Sequence, residues 1–214
     1  AMELDRLPAS LVVIGAGYIA LEQGQLFRHL GSDVTLLQRG ARLLPEYEPQ
    51  IGEQVGKMLE RLGTRVLTGT NVKRVERTAT GRRLIVARDG REEVIEAEHI
   101  LVATGRIPNV DALDLDQVHV DVDARGGIVV DDTLQTTNPR IWAAGDVTLA
   151  PQFVYVAAFQ GGVAGENAVS GAGKRANLAA VPEVIFTDPQ VAVVGMTREQ
   201  AQAAGYETKS SVLP

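Results

Sequence analysis

Gly15-Ala16-Gly17-Tyr18-Ile19-Ala20 stands directly after the apolar, β-branched run Leu11 to Ile14. In such an arrangement the first glycine permits a tight strand-to-helix turn, and the second lets a phosphate approach the backbone. A small third residue, here Ala20, lets helix and strand pack closely. The free N–H groups and partial positive charge of the next helix's first turn would then hold the pyrophosphate of a dinucleotide. The competing account is a glycine turn that only packs. About twenty residues beyond such a turn, a carboxylate accepts hydrogen bonds from the ribose of NAD. This chain instead reads Leu37-Gln38-Arg39-Gly40-Ala41-Arg42. A guanidinium binds a 2'-phosphate that a carboxylate would repel, so Arg39, with Arg42 beside it, points to NADP(H). The alternative for both arginines is a solvated surface charge. Glu22 falls within the helix after the turn and would either orient the nicotinamide or pair at the surface.

These residues need a frame to position them. Leu11–Ile14 and Asp33–Leu37 read as strands joined by a helix from Tyr18 to Leu30, which Gly31 closes. A strand, turn, helix and strand within about 30 residues is the size of a βαβ unit. Ile51, Val55, Met58, Leu59 and Leu62 share one face of a second helix, expected from Pro49 to Leu62, and Thr64–Leu67 follows as strand. Short alternating segments at Val72–Glu76, Leu84–Ala87 and Glu93–Ile95, with turns at Gly81 and Asp89-Gly90, predict an antiparallel meander. His99–Ala103 is a last buried strand. Further on, Gly127–Val130 and Ile141–Ala144 are strand candidates, Phe153–Val169 a helix, and the Gly- and Ala-rich Gly161–Ala180 a hinge. Val184–Phe186, Ala192–Val194 and Arg198–Ala204 complete the chain as two strands and a short helix.

Composition narrows the chemistry. With 45% hydrophobic residues among 214, the chain can bury a core. Lys and Arg total 21 against 27 Asp and Glu, which leaves no electrostatic footprint for nucleic acid or an anionic membrane. No apolar run approaches the roughly 18 residues of a membrane span. The absence of cysteine excludes a thiolate nucleophile, a disulfide and a thiolate-bound metal within this chain, and fits a cytoplasmic protein. His29, His99 and His119 are scattered, and the aspartates from Asp111 to Asp123 miss the calcium-loop pattern. No Gly-x-Ser-x-Gly elbow is present.

Two further strings carry a family resemblance: Leu101-Val102-Ala103-Thr104-Gly105-Arg106-Ile107-Pro108-Asn109 and Ile141-Trp142-Ala143-Ala144-Gly145-Asp146-Val147. Both resemble the class I flavin-dependent pyridine nucleotide-disulfide oxidoreductases. The runs Leu21–Phe27, Gln38–Tyr47, Pro151–Ala158 and Phe186–Val191 are most similar to the Hg(II)-reducing branch, with Pro151-Gln152-Phe153-Val154-Tyr155-Val156 the most discriminating. The resemblance implies an α/β fold: a Rossmann-like parallel sheet with an antiparallel three-stranded meander, a partial flavin domain and the start of a dimerisation domain. It places an NADP(H)-binding domain at 1–107, the C-terminal part of an FAD-binding domain at 108–180 and the beginning of an interface domain at 181–214. It also implies that Tyr18 shields the nicotinamide pocket, Glu22 contacts the nicotinamide end, Ile19 and Val72 lie along the nucleotide, and Gly105 touches the cofactor. Asp146 would hold the flavin's ribityl chain and Val154 would meet the flavin ring.

In the full-length family enzyme, a homodimer, electrons pass from NADPH through FAD to a cysteine pair, and in the Hg(II) branch to Hg(II). The missing cysteines lead us to expect an internal fragment that is inactive alone. Apolar surface near Val130, Ile141 and Phe153 would be exposed, with weak FAD binding, poor order or self-association there. The alternatives are a related reductase of the glutathione or dihydrolipoamide type and a non-catalytic nucleotide-binding module.

Overall fold

A computed structural model describes residues 4–213. The chain folds into two compact units, one comprising the residues up to Gly105 together with those from Glu183 on, the other Arg106–Pro182.

The first unit is built on a four-stranded parallel sheet in the order β3-β2-β1-β7. Its strands are β1 (Ser10–Ile14), β2 (Asp33–Leu37), β3 (Arg65–Leu67) and β7 (His99–Val102). Side chains alternate between the two faces of a strand, and both faces here are apolar. Leu11 and Val13 of β1 and Val34 of β2 pack with Ala20 and Phe27 of helix α1 (Tyr18–His29). Leu36 packs with Val55 and Leu59 of helix α2 (Pro49–Arg61). Val12 and Leu37 point the other way, onto Leu84, Val86, Ile95 and Ala97. Those four belong to an antiparallel meander, β4 (Asn71–Arg77), β5 (Arg82–Arg88) and β6 (Arg91–Ala97). Helices thus cover one face of the sheet and the meander covers the other. Each fully buried Leu or Val contributes about 1.5–3 kcal/mol of transfer free energy to this arrangement.

Both helices carry their own boundary signals. Gly17 in extended conformation precedes α1, whose last turn holds Arg28 and His29 where the dipole favours cations. Pro49 opens α2 at a position where a missing N–H costs nothing, and Arg61 lies in its last turn. The chain from Glu183 on contributes β8 (Pro182–Ile185), β9 (Val191–Val194) and α4 (Arg198–Ala203), with Ile185 buried in the α2-side cluster.

The second unit departs from expectation in two places. The strand candidates Gly127–Val130 and Ile141–Ala144 make only isolated bridges, because some of their backbone groups bond to single partners outside any ladder. Ile128 N–H donates to Val147 C=O, and Ala143 N–H to Leu134 C=O. The expected hinge is also absent over its first half, since Gly161–Ser170 belong to helix α3 (Val154–Ser170). Each mid-helix glycine costs up to about 1 kcal/mol, but Val156, Gln160, Val163, Ala164 and Asn167 bury one face and outweigh that cost. Asn167 then ties down the following loop, donating to Thr133 and Lys174 carbonyls and accepting from Lys174 N–H. Val130 and Ile141 themselves are partly buried in two small clusters. Apolar surface is exposed beside Phe153, where Val154 is 88% exposed, and also at Ile107 and at Val129 beside Val130.

Candidate functional site

The turn Gly15–Gly17 leaves β1 and enters α1 at one end of the parallel sheet. Gly15 N–H donates to Leu37 C=O at 2.9 Å, which sets the turn beside the end of β2. The two glycines differ in why they are glycine. At Gly15 a Cβ would lie 2.2 Å from the Ala103 carbonyl oxygen, and φ is +126°, so packing against the backbone just past β7 alone demands it. At Gly17 φ is −82°, open to any residue, and a Cβ would meet nothing within 4 Å. Among the described residues nothing therefore requires glycine at position 17, whereas a phosphate drawn onto the α1 N-terminus would. Among these residues the cradle fits a dinucleotide.

The loop after β2 is pinned from both sides. Gln38 N–H donates to Leu67 C=O, Thr70 N–H to Gln38 C=O, and Gly69 N–H to Gly40 C=O, each at 2.9 Å. Leu44 N–H donates to Ala16 C=O at 3.1 Å and so joins the loop to the glycine turn. Gly52 of α2 approaches so closely that a Cβ would sit 2.3 Å from Leu43 C=O. On this fixed loop the two arginines part company. Arg42 turns back to donate to Pro45 C=O at 2.7 Å. Arg39 is exposed and makes no ion pair or hydrogen bond among the described residues. Val72, half-buried in β4 two residues past Thr70, lies at this same end of the sheet.

On α1, Tyr18 and Ile19 are half-buried in the first turn, with Tyr18 against the cluster that contains Leu36 and Ile185. Glu22 Oε1 accepts a hydrogen bond from Phe186 N–H at 2.8 Å. Gln25, three residues on and 4% exposed, makes two bonds to one residue: Oε1 accepts from Asp188 N–H at 2.7 Å and Nε2 donates to Asp188 C=O at 3.0 Å. Tyr47 donates to Glu183 Oε2 at 2.6 Å, and Glu48 accepts from Arg198 N–H at 2.6 Å. Two side chains of α1 and two just before α2 therefore hold residues 183–198. Sequence reasoning missed Gln25, Tyr47 and Glu183, whose partners lie far along the chain.

Burial, reinforced by the hydrogen bond and charge of Glu183, pushes the Tyr47 hydroxyl above the ordinary tyrosine value of 10.0. The unfolded chain then loses this proton at lower pH than the folded one. This contribution to stability is complete below pH 10 and is lost as pH rises above it. Denaturant melts at pH 8 and pH 10.5 check this, because the drop across that interval should shrink in Tyr47→Phe. At neutral pH the same substitution should cost about 0.5–1.5 kcal/mol, the net worth of one hydrogen bond.

In the second unit, Gln160 Oε1 on the buried face of α3 accepts from Gly145 N–H at 2.7 Å. A Cβ on Gly145 would lie 3.0 Å from that of Ala157. The Gly145–Asp146 turn is thereby packed on the first turns of α3. Asp146 Oδ2 accepts from Arg106 at 3.0 Å, with both side chains about half exposed, while Oδ1 makes no hydrogen bond among the described residues. Val154 opens α3, whose first turn holds no acidic residue and no side-chain cap. An uncapped helix N-terminus beside a carboxylate with an open oxygen fits the polar edge and diol chain of a flavin nucleotide. Gly105, with φ +135°, closes the first of the two stretches that make up the first unit and has open space at its α-carbon.

The family model described as pyridine nucleotide-disulphide oxidoreductase matches residues 1–161, and the model for that family's dimerisation domain matches residues 181–214. The chain belongs to this family. Across all of this chain, the mercuric reductase of Lysinibacillus sphaericus is 50% identical over 213 residues, which are 39% of that protein. The mercuric reductase of Bacillus cereus is 51% identical over 213 residues, again all of this chain and 34% of the relative. The HOCl-induced flavoprotein disulfide reductase RclA from Escherichia coli superposes with a TM-score of 0.84 at 30% identity, covering 96% of this chain and 47% of that one. The chain thus spans less than half the length of the mercuric reductases it matches. The family agrees with the parallel sheet and three-stranded meander seen here. Among the described residues, no group of His, Asp or Glu could hold a metal ion, and no helix is long and apolar enough to cross a membrane.

Proposed function

We propose that this chain is the NADPH-binding portion of an FAD-dependent oxidoreductase whose full-length form reduces Hg(II) to elemental mercury. The observation that carries the nucleotide assignment is Arg39, a guanidinium without a partner among the described residues, held on a pinned loop beside the glycine cradle. In this reading Gly15, Gly17 and the first turn of α1, with Tyr18 and Ile19, receive the pyrophosphate. Arg39 binds the 2'-phosphate, and Arg42 supports it by bracing the loop through Pro45. Val72 and Gly105 border the nucleotide, and Glu22 meets its nicotinamide end. Asp146 and Val154 face the flavin, the first toward the ribityl diols and the second by opening α3 toward the ring.

When bound, the nicotinamide supplies a hydride and the flavin accepts it. The protein's part is to fix both groups with dipoles and charges arranged in advance. The α3 N-terminus would stabilise negative charge on the flavin edge, an effect of about 0.3–1 kcal/mol for an exposed helix end. Hg(II) as the terminal substrate rests on the roughly half-identical mercuric reductases. The chain has no cysteine, so thiols for Hg(II) would come from elsewhere in the full-length enzyme, which we take to be a cytoplasmic homodimer. The domain limits 1–107, 108–180 and 181–214 belong to the same proposal.

Calorimetric titration of the chain at low salt tests the nucleotide assignment. NADPH should bind at least about tenfold more tightly than NADH, the discrimination expected of one charge-assisted phosphate contact. Equal affinities would remove the 2'-phosphate assignment, and no binding of either would remove the site. In the full-length enzyme, NADPH oxidation that does not depend on added Hg(II) would remove the substrate assignment.

A further inference from the structure

Gln25 is buried, polar and outside the nucleotide site, and its amide does what a neighbouring β-strand would do. Oε1 takes the Asp188 N–H and Nε2 meets the Asp188 C=O, satisfying both backbone groups of one residue. Nε2 also lies 3.0 Å from the sulfur of Met58, which fixes which way the amide faces. Thr187, between the two held residues, is 2% exposed and donates to Pro189 C=O at 2.9 Å. The segment 186–188 is therefore locked against α1. Its Phe186 N–H, in turn, holds Oε1 of Glu22, one turn before Gln25. Glu22 Oε2 makes no hydrogen bond among the described residues.

We infer that Gln25 is a positioning residue: through the Phe186–Asp188 backbone it fixes the rotamer of Glu22, so that one carboxylate oxygen is anchored and the other is presented to the dinucleotide. The inference rests on the nicotinamide-end role proposed for Glu22. Ordering a free glutamate side chain consumes binding free energy, and an already anchored one avoids that loss. The effect is confined to the part of the ligand that Glu22 meets, and the adenosine 2'-phosphate end at Arg39 does not report it.

Two ligands separate positioning from general loosening: NADPH, and adenosine 2',5'-bisphosphate, which lacks the nicotinamide half. Phe186→Pro deletes the N–H given to Glu22, and Ile185, a strand residue, already has the extended conformation favoured before proline. Gln25→Leu removes both bonds to Asp188. Each variant should bind NADPH about three- to tenfold more weakly and the bisphosphate as the parent does. Phe186→Ala, which keeps the N–H, should retain the parent's ratio of the two affinities. If Gln25→Leu fails to fold, the proline and alanine variants at 186 decide the matter. Equal losses for both ligands, or no loss for either, would overturn the inference while leaving the nucleotide site standing. A parent chain that binds neither ligand would overturn the site itself, and this inference with it.

Discussion

Arg39→Glu should lower the affinity of the chain for NADPH by about 100-fold or more and make NADH the preferred nucleotide. The reasoning starts from the state of the side chain before any ligand arrives. Arg39 is exposed and without a partner among the described residues, so its loss removes no internal bond. The loop beneath it is held by backbone bonds from Gln38, Gly69, Thr70 and Leu44, none of which involves the Arg39 side chain. The variant should therefore fold like the parent, and its effect should appear only in binding. Charge-assisted bonds from a guanidinium to phosphate are worth about 1.5–3 kcal/mol, or roughly 10- to 150-fold. Arg39→Ala should forfeit that amount for NADPH and leave NADH within about threefold, since NADH has no 2'-phosphate to lose. The glutamate adds repulsion of the phosphate and an acceptor for the ribose hydroxyl, which is why it should invert the preference. Raising salt from 0.01 to 0.15 M shortens the screening length from about 30 to 8 Å, so the parent's preference should narrow. Arg42→Ala should cost less, because that guanidinium is already committed to Pro45 C=O. Parallel losses for both nucleotides in Arg39→Ala would show that the residue supports the loop and does not read the phosphate.

The division of labour between Arg39 and Arg42 marks the limit of what spacing conveys. Both guanidinium groups fall in the stretch after β2, and only the fold shows one bent onto a carbonyl. The elements themselves were legible because their signals are local. Alternation placed Leu11 and Val13 opposite Val12, the 3.6-residue repeat aligned Val55 with Leu59, and Pro49 and Gly63 bracketed α2. The polar partners of the site were not, since Gln25 meets Asp188 and Tyr47 meets Glu183 across more than a hundred residues of chain. Gln160 left a faint trace, as a polar side chain within the apolar run from Phe153 that packs inward to hold Gly145. In 127–130, β-branched residues suggested a strand, yet the Asp123 carboxylate takes the Gly127 N–H and Val147 C=O the Ile128 N–H, groups a ladder would need. Local propensity yielded there to side-chain bonds that offer the backbone another partner.

The two glycines of the cradle should separate stability from binding in a single experiment. Gly15→Ala would place a Cβ 2.2 Å from Ala103 O and 2.8 Å from its carbon, at a φ of +126° that side chains rarely adopt. Backbone strain and overpacking each cost about 1–3 kcal/mol, so the variant should lose about 3 kcal/mol or more. In a unit of this size that is a fall in Tm of roughly 8–15 °C, visible without any nucleotide. Gly17→Ala meets neither obstacle, since its φ is ordinary and its Cβ would enter open space. Alanine caps a helix less well than glycine but restricts the unfolded chain, and these small effects oppose each other, leaving stability within about 1 kcal/mol. Its methyl group would nonetheless stand where the pyrophosphate must approach the α1 amides, and NADPH affinity should fall by tenfold or more, at least about 1.4 kcal/mol. Thermal melts of the free chain and calorimetry with NADPH together give four readings. An unchanged Tm in Gly15→Ala would contradict the close approach of the turn to Ala103. Undiminished binding in Gly17→Ala would mean that the open face of the turn is not where phosphate sits. Because one glycine is demanded by the Ala103 backbone and the other by no atom of the described residues, only a ligand site predicts that the second substitution is silent in the melt and costly in the titration.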